Sequence, residues 1–541
     1  MNIASKIPTE ILGEIFLHAI DGPISNIQDS SFPWAIERVC KSWRSAFVTY
    51  PDLWTWITIN LADSYSRGQD LNSVNLRLSL CLERSRNNPL NIFLRLPTDE
   101  YDETSPSFTL VWQTFLSCSH RWRIVYLANL LEPQFITLNS CTGATPILES
   151  LTIHSPMDTI GYSDFTGFKV APHLTRFTVL HPAAMFAARK WSVPWMQLTN
   201  LTLRFEEILG VEQLRVLFKQ LRDIEELCLI LEGDEPGIEL NDFVHNSGTP
   251  QCLPHLRVLQ VCCVETLGLI TAPSLSELYL EGSEFFYPQT FDGDPNEVLA
   301  EEILSSFIQR SSCKIHKLTL SDFSEHPFTS LVQLFPDVVE LYLVDAMVCF
   351  EHLLSVSPIE FPGLRVLDCT THTFDVEYFM QTLLAILRLR NSSSATCSAA
   401  SLAKVIFRPV LEDGEASVLV TTTDWASFES YVQVGSCCEL NLTSRLWLPE
   451  EAPQSPPLAT NCSPNTSMTP SASSSTLGAL LNPGSMVSQQ PVSSNTLFPP
   501  DFLSNSLDDF DSNIFRNDED INFERDFAQW FHGDDVSLDM K

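Results

Sequence analysis

Positive charge is scarce in this chain: 32 Lys and Arg stand against 67 Asp and Glu, a net charge of −35 over 541 residues. A phosphate backbone needs a basic footprint, so this balance disfavours a nucleic-acid binder or a protein held on an anionic membrane. Long apolar runs are missing too. The best candidate, residues 331–350, is broken by Asp337, Glu340 and Asp345. A membrane helix needs about 20 predominantly apolar residues, so no span is expected. No secretory signal is expected either, because Glu10 and Glu14 interrupt the first apolar run.

Metal and catalytic signatures are equally thin. None of the 15 cysteines forms a C-x-x-C pair, and Cys262-Cys263 and Cys437-Cys438 lack metal-ligand spacing. Reduced thiols and a cytosolic or nuclear location are the expectation. The 12 histidines are dispersed, the nearest two being His173 and His181. No phosphate-binding glycine loop, dinucleotide fingerprint, G-x-S-x-G elbow or H-E-x-x-H helix occurs. The expectation is a chain with no metal, no cofactor and no chemistry of its own.

What is present begins with apolar helical spacing. Pro8 suits a first helical turn, and Glu10 and Glu14 favour its positive end. Ile7, Ile11, Leu12, Ile15, Phe16 and Ala19 follow on one face. Gly22-Pro23 stops this helix. Pro33 restarts one carrying Trp34, Val39, Cys40, Trp43, Phe47 and Tyr50, and Pro51 ends it before Leu53, Trp54, Trp56 and Ile57. Spacing alone leaves two readings open: a cap on a larger core, or a module with apolar surface to spare for a partner.

The residues Ile7-Pro8-x-Glu10-Ile11-Leu12-x-x-Ile15-Phe16, then Val39-Cys40-Lys41-x-Trp43-Arg44, then Pro51-x-Leu53-Trp54 resemble the F-box. The likeness is strongest to the F-box-like proteins of mushroom-forming fungi. It covers about residues 5–57 in three ordered blocks, with a longer polar loop at 21–31 as its departure from the family pattern. It implies a helical module that binds the Skp adaptor of a cullin–RING ubiquitin ligase. The motif positions Ile7, Pro8, Ile11, Leu12, Ile15, Phe16, Val39, Cys40, Trp43, Leu53 and Trp54 would then be shared between the adaptor and the module's own core.

Beyond the module, a helix is expected over roughly residues 71–86, with Val74, Leu76, Leu78, Leu80 and Leu82 among its apolar positions. A strand is expected over 90–96. From Trp122 an apolar-x-x-apolar-x-apolar motif then recurs ten times. Its heads are Trp122, Leu148, Leu174, Leu198, Ile224, Leu256, Leu275, Ile315, Val338 and Leu364. Most intervals fall near the 20–29-residue period of leucine-rich repeats. A Pro-x lead-in precedes six heads (Pro146, Pro172, Pro254, Pro273, Pro336, Pro362), where proline ends one segment and an extended one begins. Leu402, Val405 and Phe407 form a possible eleventh unit, and the 40-residue interval suggests an insertion at 285–296. The consensus asparagine is mostly missing, so the array is degenerate. An α/β domain with Leu-rich strands is the alternative, but motif, period and lead-in together favour a stacked solenoid.

The C-terminal composition differs. Residues 451–500 contain 25 Ser, Thr or Pro and one charged residue, and residues 501–541 carry 12 acidic against three basic residues. Such segments bury too little apolar area to offset ordering entropy, so disorder is expected. Phe502, Phe510, Phe515, Phe523, Phe527, Trp530 and Phe531 are interleaved with the acids, a pattern of docking or activation segments as well as of solubilising tails.

The expected fold class is α/β: a small all-α F-box module at 1–60, a leucine-rich-repeat-like solenoid at 61–446, and a disordered acidic tail at 447–541. By the resemblance, the partners are a Skp-type adaptor, cullin and RING subunits through it, and a protein substrate on the repeats. A ligase-independent scaffold and a transcription-linked regulator acting through the tail are the alternatives. Net acidity, if concentrated on the repeat surface, favours basic substrates.

Overall fold

The structure, a computed structural model, describes residues 7–19, 34–62, 70–97, 105–154, 165–180, 191–205, 211–231, 249–262, 264–281, 295–321, 333–344, 361–371 and 404–409. All belong to the first of two units of the chain, Met1–Ala452. The second unit, Pro453–Lys541, lies outside the described residues, and so does the expected tail. The 21–31 loop, Leu402 and residues 285–294 also lie outside them.

The chain is mixed α/β and is dominated by a 13-stranded sheet whose pairings are all parallel. Its strands are β1 (Trp56–Asn60), β2 (Leu90–Arg95), β3 (Trp122–Ala128), β4 (Ser150–His154), β5 (Arg176–Leu180), β6 (Asn200–Phe205) and β7 (Glu226–Leu231). After β8 (Gln251–Cys252), β9 (Val258–Val261) and β10 (Ile270–Thr271) come β11 (Glu277–Glu281), β12 (Lys317–Ser321), β13 (Glu340–Val344), β14 (Val366–Thr371) and β15 (Lys404–Pro409). Order in the sheet follows order in the chain, with β8 and β10 set aside as a separate parallel pair.

Each interval between strands adds a layer. Described helices in these intervals are α4 (Leu71–Arg84), α5 (Pro106–Ser117), α6 (Glu132–Leu138), α7 (Val211–Gln220), α8 (Glu265–Gly268) and α9 (Pro295–Ser311). Parallel strands need such crossovers, because a tight hairpin joins only antiparallel neighbours. The 40-residue interval holds α9, a helix of 17 residues.

The apolar motif explains the register. All thirty side chains of the ten repeats are exposed by 3% or less. Their second and third positions form two continuous ladders: Phe177 pairs with Leu201 and Leu201 with Leu227, while Val179 pairs with Leu203 and Leu203 with Leu229. The ladders run on through Leu341↔Leu367 and Leu343↔Cys369 to Val405 and Phe407 of β15. They also extend backwards to Ile92 and Leu94 of β2 and to Ile57 and Ile59 of β1. Burying each side chain of the ten repeats contributes about 1.5–3 kcal/mol, which fixes the register against a slip.

The proline lead-in has a specific geometry. Each of the six proline-led heads donates its N–H to the carbonyl three residues back, as from Leu174 to Ala171 and from Leu364 to Phe361, both at 3.2 Å. That places proline at the second position of a turn, where its fixed φ is pre-set. The residue before it is buried in all six cases: Thr145, Ala171, Leu253, Ala272, Phe335 and Phe361. This further apolar or small position belongs to the six proline-led repeats and lies outside the apolar-x-x-apolar-x-apolar motif.

Two expectations need correction. In α4 the buried residues are Leu71, Val74, Leu78 and Cys81, whereas Leu76 is 62% exposed. Helical spacing of three and four residues, not alternation, selects the inner face. The second helix of the N-terminal module is in fact two, α2 (Ile36–Val39) and α3 (Lys41–Thr49). Between them Cys40 is extended, with φ −162 and ψ 169, and its Sγ accepts the Trp43 N–H at 3.5 Å.

Candidate functional site

The N-terminal helices sort the expected site residues by exposure. In α1 (Thr9–Ala19), Leu12, Gly13 and Phe16 are buried. Phe16 meets the edges of Trp43 at 5.3 Å and Phe47 at 6.3 Å between ring centres. Ile11 and Ile15, one turn apart, are 51% and 46% exposed, and Pro8, three residues earlier, is exposed as well. The apolar stripe is wider than α3 can cover, because neighbouring positions on a helix lie about 100° apart. Its Leu12–Phe16 side turns inward and its Pro8–Ile11–Ile15 side outward.

The other expected residues divide likewise. Val39 is 58% exposed on α2; Ile7, Cys40 and Trp43 are half-buried; Leu53 and Trp54 are buried. Trp54 donates from Nε1 to the Phe47 carbonyl at 2.9 Å, and its ring centre lies 4.5 Å from that of Phe47. It also precedes Ile57 and Ile59 at the spacing of the repeat motif, so it closes the helical module and begins the ladder in one side chain. Leu12, Phe16, Leu53 and Trp54 are therefore internal supports, while Pro8, Ile11 and Ile15 share one outer face.

Arg84, which sequence reasoning did not single out, fastens this module to the sheet layers. Its guanidinium lies 4.5 Å from the centre of the Trp54 ring and pairs with Glu37 of α2 at 2.5 Å. Both carboxylate and guanidinium are largely shielded, which strengthens the pair relative to an exposed one. No spacing rule links residues 37, 54 and 84.

The second surface is the face of the sheet opposite the ladders, where side chains are mostly half-exposed. Lys317 is held there between the rings of Tyr279 and Tyr342, 5.3 and 5.2 Å from their centres, and pairs with Glu277 at 3.2 Å. Burial lowers its pKa, but the Tyr279 contact and the Glu277 carboxylate outweigh burial and hold the ammonium above the ordinary lysine range. The Tyr342 phenol donates to Glu340 at 3.1 Å, and burial with that carboxylate pushes it up to about 12. Phe93 and Tyr126 stack at 4.4 Å on the same face of β2 and β3.

Among the described residues no three His, Cys, Asp or Glu side chains are grouped to hold a metal ion. No described helix is long and apolar enough to cross a membrane. Burial pushes the thiols of Cys81 and Cys228 up to about 12 and those of Cys118 and Cys141 to about 11. A thiol raised so far is a poor nucleophile at neutral pH. The sequence matches no protein-family model and no curated protein.

Proposed function

We propose that this chain is an F-box-type substrate receptor of a cullin–RING ubiquitin ligase. In this reading the N-terminal helices bind a Skp-type adaptor, and a degenerate leucine-rich-repeat-like solenoid binds a protein substrate. The observation that carries it is the division of α1: Leu12 and Phe16 anchor the helix, while Ile11 and Ile15 remain exposed beside Pro8. Exposed aliphatic side chains in register on one helix face are suited to burial against a partner. The motif order from Ile7 to Trp54 supports the choice of partner, and the in-register ladders support the solenoid.

The chain itself does no chemistry in this scheme. It holds a substrate near a ubiquitin-conjugating enzyme recruited by the RING subunit, and raises the effective concentration of the reacting groups. The test is affinity purification of the full chain, with mass spectrometry under proteasome inhibition. An adaptor should co-purify with the wild type and be lost with Ile11→Glu plus Ile15→Glu, whose helix still folds because neither side chain is buried. Absence of any adaptor from the wild type, or its retention by the double variant, overturns the reading and leaves a ligase-independent scaffold.

A further inference from the structure

Nine large apolar side chains are exposed among the described residues, and three of them, Ile11, Ile15 and Val39, belong to the N-terminal helices. Three more stand at matching places on successive helices. Leu76 of α4, Leu110 of α5 and Ile136 of α6 are 62%, 44% and 51% exposed. Each lies two residues before one buried side chain (Leu78, Trp112, Leu138) and five before another (Cys81, Phe115, Cys141). Equal offsets from buried positions give the three an equivalent outward direction, because a helix turns about 100° per residue. Hydrogen bonds hold the helices in step. Ser107 Oγ of α5 donates to Asn72 Oδ1 of α4 at 3.2 Å, and Trp112 Nε1 of α5 donates to Thr137 Oγ1 of α6 at 2.8 Å.

The surface around this row is nearly free of charge, in a chain of net charge −35. All 12 residues of α5 are uncharged. Across the three helices, Glu83 is the one charge at an exposed position; the other exposed positions hold Asn, Ser, Thr, Gln, Pro and the three aliphatics. Of the half-exposed charges, Arg77 lies over the Trp34 ring, Arg84 is paired with Glu37, and Glu132 opens α6. Asp70 and Arg86 flank α4 beyond its two ends. A neutral centre with charge at its margin is the composition of an interface core and rim. The strip ends before α7, where Val216 keeps the same spacing but stands among Glu212, Arg215 and Lys219. Val170 and Met196, in the segments leading to β5 and β6, are exposed singly.

We propose that the outer face of α4, α5 and α6 pairs two copies of this chain about a two-fold axis. A pairing of this symmetry brings one patch against itself, so the patch must be complementary to its own copy. A neutral aliphatic row meets that condition, whereas a charged patch would repel its copy. The face also offers a charged partner almost nothing to pair with. Helices about 10 Å apart, rising about 1.5 Å per residue, present roughly 500 Å² here on each copy. A pair then buries about 1,000 Å², which reaches the size of a specific interface. With Leu110 in the middle of the row, the axis sets α5 on α5 and Leu110 beside Leu110. This inference goes beyond the substrate-receptor reading and does not depend on it.

The test is sedimentation velocity of the full chain over about 1–100 μM. The wild type should reach twice the mass of the single chain. Its association should tighten as salt rises, because salt screens the repulsion between two acidic copies. Leu110→Glu and Leu110→Lys should each weaken association at least about tenfold, with the melting temperature unchanged because the side chain is exposed. Mixing the two variants should restore the dimer, since the axis sets the opposite charges side by side. Leu76→Asn with Ile136→Asn, which adds no charge, should weaken association as well. A wild type that stays monomeric across this range overturns the proposal. So does a dimer that survives all of these substitutions, a mixture that stays monomeric, or association that weakens with salt. A monomeric wild type whose co-purified adaptor is lost with Leu110→Glu gives this face to the adaptor instead, and that outcome leaves the ligase reading standing.

Discussion

The ring of Tyr50 lies against the α-carbon of Gly13, so that a Cβ at residue 13 would stand 2.5 Å from Cδ2 and 2.6 Å from Cγ of that ring. This contact locks α1 onto the end of α3, and the Tyr50 hydroxyl completes it by donating to Glu14 Oε1 at 2.5 Å. Gly13→Ala is expected to cost about 1–3 kcal/mol through overpacking. Urea denaturation of the variant, alone and combined with Tyr50→Ala, checks this. The two substitutions should be non-additive, because the second removes the ring that the first collides with.

The same pair has an alkaline signature. The hydrogen bond to Glu14, then burial, raise the Tyr50 pKa to about 12 from an ordinary 10.0. A folded-state pKa above the unfolded one adds stability that is complete below pH 10.0 and is lost as pH rises toward about 12. Melting temperatures of wild type and Tyr50→Phe followed from pH 8 to 11.5 should therefore converge above pH 10. A constant difference across that range would remove Tyr50 as the source.

The ladder predicts a contrast between adjacent residues. Leu201 is buried between Phe177 and Leu227, and its neighbour Thr202 faces the other side of the sheet, half-exposed. Leu201→Ala should cost about 2–5 kcal/mol and Thr202→Ala no more than about 0.5 kcal/mol. Equal effects in urea denaturation would contradict the assigned register.

Arg84→Lys keeps the positive charge but lacks the planar fork that spans Glu37 and Trp54. It should destabilise the junction between helical module and sheet by about 2 kcal/mol. Limited proteolysis reports this as earlier cleavage within residues 1–62, with the later strands still protected.

Thiol labelling in the native state should follow burial. Cys252 is exposed and should react within the dead time, whereas Cys81, Cys118 and Cys141 are buried with raised pKa values and should react only on unfolding. Mass spectrometry of labelled fragments distinguishes the sites.

The repeat was legible in the sequence because its apolar positions recur at a spacing that a strand imposes on any core-facing face. Trp122, Val125 and Leu127 and their nine successors needed no knowledge of neighbours to be picked out. The first strand was less legible, because Trp54, Ile57 and Ile59 follow the same spacing but sit inside a helical module. The second was expected over residues 90–96 and is found at Leu90–Arg95, although Pro89 replaces the apolar head that would have joined it to the repeats. The buried residue before each lead-in proline varies from Thr to Phe, which hides it from a search for leucine.

The sequence by itself determined the α/β periodicities, the apolar ladder and the apolar character of α1, since local spacing decides which residues can share a face. Only the tertiary structure decided which half of the α1 stripe is covered, since that depends on the width of α3 and the placing of Tyr50. It alone brought Arg84 to Glu37 and Trp54, and set Lys317 between Tyr279 and Tyr342 of the neighbouring strands. Pairings of that kind depend on how successive layers stack, and no window along the chain contains both partners.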